Sequence, residues 1–195
     1  MSRFTKCRIW HELFLDIRRD MDVIKSGFRK SYKSLISSGM KIWKVDIMTG
    51  PDLILWNEYR ELHFQSAGRA TRSIESWDLQ YREIIDRNAF LVYLKNQEGT
   101  MVGGGFFRIS CDEGVYSVGA YNRDFFGQPL GHVVQYCAIE EMKNRGIRWY
   151  KIGLRHYPSE VPSPTDKEIQ IGEFKQGFAS HLFPRFLLKH ETKYK

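Results

Sequence analysis

Two runs of sequence, Val115-Tyr116-Ser117-Val118-Gly119-Ala120-Tyr121 and Trp149-Tyr150-Lys151-Ile152-Gly153, flank Gln128-Pro129-Leu130-Gly131-His132-Val133, and the three together decide the fold. The outer runs alternate aromatic or branched residues with small ones, as half-buried strands do. The segment between them opens with proline and glycine. It then repeats apolar residues at helical spacing through Leu130, Val133, Val134, Cys137 and Met142, up to a stop at Gly146. Strand, helix and strand within about forty residues predict a crossover unit, which places two strands parallel and links them by a right-handed connection. A glycine turn that opens a helix leaves backbone N–H groups unpaired at the positive end of the helix dipole. Gln128, Leu130, Gly131 and His132 are therefore expected to cradle an anion such as a pyrophosphate.

Upstream of this unit, Ala89–Lys95, Thr100–Ser110 and Gly114–Asn122 read as three strands joined by Asn96-Gln97-Glu98-Gly99 and Cys111-Asp112-Glu113-Gly114, an antiparallel meander. Earlier still, Ile17, Met21, Ile24, Phe28, Tyr32 and Leu35 predict one helix from Asp16 to Ser38, stopped by Gly39 and followed by a strand from Lys41 to Ile47. A helix from Pro51 to Gly68 comes next. Another begins after Ser73 and turns Ile74, Trp77, Tyr81, Ile84 and Ile85 inward. Downstream, the prolines at 158, 162 and 164 make 154–166 an irregular binding loop. Pro184 confines a strand from Leu182 to Lys189 to a sheet edge. The fold class is α/β (α+β), with a mixed, mostly antiparallel sheet flanked by helices, in a single domain over 1–195.

Composition limits the partners. The 195 residues are 42% apolar and 14% aromatic, with a net charge of +7, which favours an anionic partner: nucleotide, coenzyme, tRNA or phospholipid surface. The scatter of Cys7, Cys111 and Cys137 excludes a disulfide framework and a Cys-x-x-Cys zinc site, and a reduced cytoplasm is expected. The patch from Ile9 to Ile17 is interrupted by His11, Glu12 and Asp16, so it reads neither as a signal peptide nor as a membrane span. No metal site is expected.

The order of elements resembles the acetyltransferase-type fold known as GNAT. Gln128 and Gly131 match that family's Gln/Arg-x-x-Gly-x-Gly/Ala loop, and Val133 stands where its last small residue falls. The chain resembles more closely the FemAB-like branch, aminoacyl and acyl transferases of bacterial envelope biosynthesis. That resemblance rests on Phe28-Arg29-Lys30-Ser31-Tyr32-Lys33, the Tyr116–Tyr121 strand, Lys143-Asn144-Arg145-Gly146, the Ile152-Gly153 strand end and Phe174-Lys175-Gln176-Gly177-Phe178, and spans the chain from about Leu13. FemAB enzymes that extend peptidoglycan bridges carry two such lobes, and this sequence corresponds to one. The resemblance implies N-acyl transfer from an acyl-thioester such as acyl-CoA, used as a cosubstrate and not bound tightly, or as second choice from an aminoacyl-tRNA. The acceptor would be the amine of a small molecule, an amino sugar or a nucleotide-activated envelope precursor. It also implies that Lys175 of the Phe174-Lys175 pair stabilises negative charge during transfer.

Acyl transfer needs a positioned carbonyl, a donor for the developing oxyanion and a route for a proton. Lys175 is the expected oxyanion partner, although a solvated surface lysine would look the same in sequence. Glu168 and Tyr121 are the candidate bases, with Tyr116 behind them, and His132 and His156 are potential proton relays. His63, Arg69, Arg72 and Trp77 form a cluster suited to gripping a carboxylate or phosphate, and Arg29, Lys30 and Phe174 complete the expected substrate-binding set. Homodimer formation is left open. So is a reading of a different class, a non-catalytic GNAT-like module that binds nucleotide or nucleic acid through its basic face.

Overall fold

The computed structural model describes residues 4–190, and side chains from Arg8 to Leu188. One seven-stranded sheet runs through it. In chain order the elements are β1 (Phe4–Asp16), α1 (Met21–Gly27), α2 (Lys30–Ile42), β2 (Lys44–Met48), α3 (Leu53–Ala67), α4 (Ile74–Ile85) and β3 (Ala89–Lys95). There follow β4 (Met101–Ile109), β5 (Glu113–Tyr121), α5 (Leu130–Asn144), β6 (Trp149–Arg155), α6 (Asp166–Gln176) and β7 (His181–His190). The strand order is β2-β3-β4-β5-β6-β1-β7. Every pairing is antiparallel except that of β5 with β6, where Glu113, Gly114 and Val115 lie beside Trp149, Tyr150 and Lys151. The expected mixed, mostly antiparallel sheet with its crossover is therefore present.

Alternation along β3 builds the two halves of the core. Phe90, Val92 and Leu94 face one side, where they pack with Val133, Val134 and Ile139 of α5 and with Tyr32 and Ile36 of α2. Ala89 and Leu91 face the other, against Trp56, Tyr59 and Leu62 of α3 and Trp77 and Ile84 of α4. Burying each large apolar side chain contributes about 1.5–3 kcal/mol, so a central strand covered on both faces is apolar at nearly every position. This is why β3 reads as an almost unbroken hydrophobic run. The α4 expectation is corrected at its ends: Ile74 and Ile85 are 65% and 44% exposed, leaving Trp77, Tyr81 and Ile84 as the inward face.

One element was not anticipated and two further expectations change. First, the residues from Phe4 to Asp16 form a strand that slots between β6 and β7, pairing antiparallel with both. Leu13 and Leu15 are its contribution to the core, with Ile17 just after it. Second, the single helix expected from Asp16 to Ser38 is two helices. The chain is extended at Phe28 and Arg29, with ψ of 152° and 133°. A long-range contact replaces the helical one there, because the Arg29 amide donates to the Gly177 carbonyl at 2.8 Å. Third, α6 occupies part of what had read as loop and short segment. Its start is written locally as Thr165-Asp166-Lys167-Glu168, a capping box in which both reciprocal hydrogen bonds are made. Pro184 does lie on an edge strand, β7, and Gly68 closes α3 at φ 69°.

Gly39 does not stop α2, which continues to Ile42. It is the point where α2 and α5 approach: a Cβ there would lie 2.4 Å from a Val133 methyl and 3.0 Å from the Pro129 ring. Gly39→Ala gains up to about 1 kcal/mol of helix propensity, yet over-packing against a stiff valine costs typically 1–3 kcal/mol. Chemical denaturation should therefore show a net loss of stability. A variant more stable than the parent would mean that the two helices are not held this closely.

Candidate active site

The two parallel strands part soon after they meet. Pairing ends at Val115 and Lys151, so from Tyr116 on β5 and Ile152 on β6 a notch opens between them. Lys175 fills it from α6. Its Nζ lies 5.5 Å from the centre of the Tyr116 ring, and a Cβ on Gly153 would sit 2.5 Å from the same nitrogen. Gly153 also has a φ of 138°, a conformation other residues avoid, so two constraints keep this position bare. Lys175 has no carboxylate partner among the described residues, and desolvation lowers its pKa from the ordinary 10.5.

What holds Lys175 there is a clamp between two segments far apart in sequence. The Arg29 guanidinium donates to the Glu173 carbonyl at 2.9 Å, and the Tyr32 hydroxyl donates to the Phe174 carbonyl at 3.0 Å. Both reach carbonyls in the last turn of α6, where the Phe174 carbonyl also accepts from the Gly177 amide at 3.1 Å. Phe28 packs edge-on against Phe178 at 5.1 Å, and Tyr32 lies 4.8 Å from the same ring. Arg29, expected to bind substrate, thus holds α6 in place. Lys30, at the first position of α2, is exposed. Phe174 faces inward against Tyr32 and His132.

Behind the lysine lies a network of phenols. The Tyr116 and Tyr121 hydroxyls are 3.1 Å apart. The Tyr150 hydroxyl donates to Gln135 Oε1, and the Tyr59 hydroxyl donates to the Val118 carbonyl at 3.0 Å. Gln135 is fully buried, and its Nε2 has no partner. Burial raises the pKa of Tyr59, Tyr116, Tyr121 and Tyr150, well above 10 for Tyr59, Tyr121 and Tyr150. Tyr121 therefore keeps its proton at neutral pH and suits donation better than the role of base. Glu168 is exposed, and its carboxylate accepts from the Thr165 amide and hydroxyl, both at 2.8 Å, so it caps α6. Those backbone and hydroxyl bonds hold its pKa below the usual carboxylate value.

The start of α5 departs from the open cradle expected. Leu130 is buried, and its amide donates to the Gln128 carbonyl at 2.9 Å, while the Gln128 side chain is exposed. A Cβ on Gly131 would lie 3.1 Å from the Phe174 ring, so the bare position serves packing. His132 stands edge-on to Tyr32 at 4.5 Å and to Phe174 at 5.0 Å, and desolvation pushes its pKa down to about 4. That rules it out as a relay near neutral pH. The amides of Gly131 and His132 remain without a backbone partner among the described residues. His156 pairs with Glu160 at 2.9 Å.

His63, Arg69, Arg72 and Trp77 do come together, in a cavity of about 390 Å³ between α3 and α4. Ser66, in the last turn of α3, donates from its hydroxyl to the Tyr121 carbonyl at 2.7 Å, which fastens this wall to the end of β5. Among the described residues no cluster of His, Cys, Asp or Glu is placed to hold a metal, and no helix is long and apolar enough to cross a membrane. Sequence reading passed over Tyr32, Gln135 and Tyr150. Tyr32 stood inside a motif already singled out, and Gln135 was a lone polar residue on an otherwise apolar helix face.

No protein-family model matches the chain, and no curated protein matches it. Solved structures do. FemX superposes with a TM-score of 0.72 at 14% identity, over 88% of this chain and 59% of FemX. L-PGS from Bacillus licheniformis gives 0.69 at 12% identity, over 96% of this chain and 63% of that one. The C-terminal domain of a putative lysylphosphatidylglycerol synthetase from Agrobacterium fabrum gives 0.65 at 10%, over 93% and 60%. The chain thus shares its fold with these structures, and spans about three fifths of the length of each.

The packing of His132 has a consequence in acid. Its folded pKa, about 4, lies below the 6.5 of an exposed histidine, so the unfolded chain takes up the proton first. The stability this contributes is complete above pH 6.5 and is lost as pH falls through 4. Urea titrations across that window should show a decline that is smaller in His132→Phe. An equal decline in both proteins would place the ring in solvent.

Proposed function

We propose that the chain catalyses N-acyl transfer, with Lys175 as the residue that stabilises the oxyanion. The donor is an acyl-thioester such as acyl-CoA, or in second place an aminoacyl-tRNA. The acceptor is the amine of an amino sugar or of a nucleotide-activated cell-envelope precursor. One observation carries the reading: an ammonium group with no carboxylate partner among the described residues, held in the β5/β6 notch where desolvation lowers its pKa. The shared fold with FemX supports it.

In this reading the amine nitrogen attacks the donor carbonyl carbon, a C–N bond forms, and the carbonyl oxygen takes up negative charge beside Lys175. An ammonium that is poorly solvated in the ground state gains most when that charge appears, because the attraction is little screened by water. Collapse breaks the bond to the leaving thiolate or ribose oxygen. Tyr121, which keeps its proton, supplies one to that group through the Tyr116–Tyr121 pair; the amine's proton passes to solvent, and solvent returns a proton to the phenol pair. The free amides of Gly131 and His132 are the groups left to hold a donor phosphate, with Phe174 beside them. Glu168 takes no part.

Lys175→Met should lower kcat and kcat/KM together, by roughly 10²-fold or more, with the fold retained. Turnover would be followed with acyl-CoA or charged tRNA and a panel of amines. Turnover equal to the parent's in a folded Lys175→Met protein would refute the assignment. Binding of nucleic acid with a steep salt dependence and no turnover with any donor would favour the non-catalytic module instead.

A further inference from the structure

The cavity between α3 and α4 contains an arginine set up differently from several arginines elsewhere in the chain. Arg18, Arg108, Arg145 and Arg148 each reach a carboxylate within 2.8 Å. Arg72 reaches none among the described residues. Its Nη1 lies 3.1 Å from His63 Nε2, and its Cζ lies 5.7 Å from the centre of the Trp77 ring. Desolvation and the neighbouring guanidinium keep His63 neutral by lowering its pKa, so the imidazole accepts a hydrogen bond from Arg72. Donating that bond and lying over the indole position the guanidinium while consuming only one of its N–H groups. The Nε–Nη2 edge, which carries the parallel pair of donors that matches an oxyanion, is left free.

The surroundings agree. Arg60 and Arg69 line the same cavity, against Glu61 as the one carboxylate. Glu61 is occupied by Gln65 at 3.0 Å and Arg60 by Asn57 at 3.2 Å. Phe64 and Ile74 supply an exposed apolar rim. A volume of about 390 Å³ falls within the range of small-molecule sites.

We propose that this cavity is an oxyanion subsite in which Arg72 grips a phosphate or carboxylate group carried on a compact, partly apolar body. The inference rests on the acyl-transfer reading only in taking that body to be part of a substrate. Because Ser66 fastens the cavity wall to the strand end that carries Tyr121, a molecule anchored here is held from the same strand that lines the notch.

The test titrates the full chain with inorganic phosphate, acetate and chloride at constant ionic strength, using calorimetry and the Nε–H resonance of Arg72. Phosphate or acetate should bind at a single site and shift that resonance, and chloride should not. A preference for phosphate assigns a phosphorylated substrate, and a preference for acetate a carboxylate. Arg72→Gln should weaken binding by about tenfold or more, the scale of one lost charge-assisted pair. Arg72→Lys, which keeps the charge and loses the fork, should also weaken it and serves if Arg72→Gln does not fold. Lys175→Met should bind the anion as the parent does. Loss of turnover with retained anion affinity in that variant supports both proposals. Retained turnover with Arg72-dependent binding removes Lys175 as the oxyanion partner, and absence of turnover in the parent removes acyl transfer; either leaves the subsite standing. If neither probe binds above chloride, or if both Arg72 variants bind like the parent, the subsite is overturned.

Discussion

Two hydrogen bonds, from Arg29 to the Glu173 carbonyl and from Tyr32 to the Phe174 carbonyl, govern where Lys175 can be. Helix ends leave some carbonyls short of partners. Here a second helix supplies donors, adding to the Gly177 amide that already reaches Phe174. In doing so it breaks the continuous helix that local periodicity favours, bends the chain at Phe28 and seats Phe28 against Phe178. Each net hydrogen bond contributes only about 1 kcal/mol, but together with the aromatic contacts they fix the last turn of α6 beside the point where β5 and β6 part. A misplaced turn would swing the lysine into solvent.

The notch joins two kinds of group whose environments act in opposite directions. Burial makes the charged form of Lys175 costly, and makes the charged forms of Tyr116 and Tyr121 costly too. The phenols stay protonated as donors, and among the described residues the ammonium has no counter-ion to quench it. Such an arrangement is poised for a negative charge that appears only transiently. Gly153 completes it, since any side chain there would meet the lysine's nitrogen.

Much of the fold was legible because it is local. The β3–β4–β5 meander, the crossover through α5 and the edge position of Pro184 follow from period, turn residues and proline chemistry, and they stand as read. What was missed depends on distant partners. β1 is a strand because β6 and β7 flank it. The break at Phe28 exists because Gly177 accepts from Arg29. Gly39, which sequence reads as a stop, is a contact point for Val133. The candidate site divides in the same way. Its aromatic and basic residues could be singled out, and His63, Arg69, Arg72 and Trp77 do meet in one cavity. Their individual roles were not legible. Glu168 turned out to be half of a capping box written plainly at Thr165-x-x-Glu168, and His132 and Gly131 turned out to serve the packing of Phe174.

The most direct measurement of the central claim is the titration of the Lys175 ammonium, followed through its Nζ resonance in the full chain. A lysine held in a desolvated notch without a counter-ion must titrate below the ordinary 10.5. Loosening the clamp with Tyr32→Phe and Arg29→Ala together should bring it back toward that value. A Lys175 that titrates alongside the exposed lysines in the parent protein, and does not respond to loss of the clamp, would contradict the account.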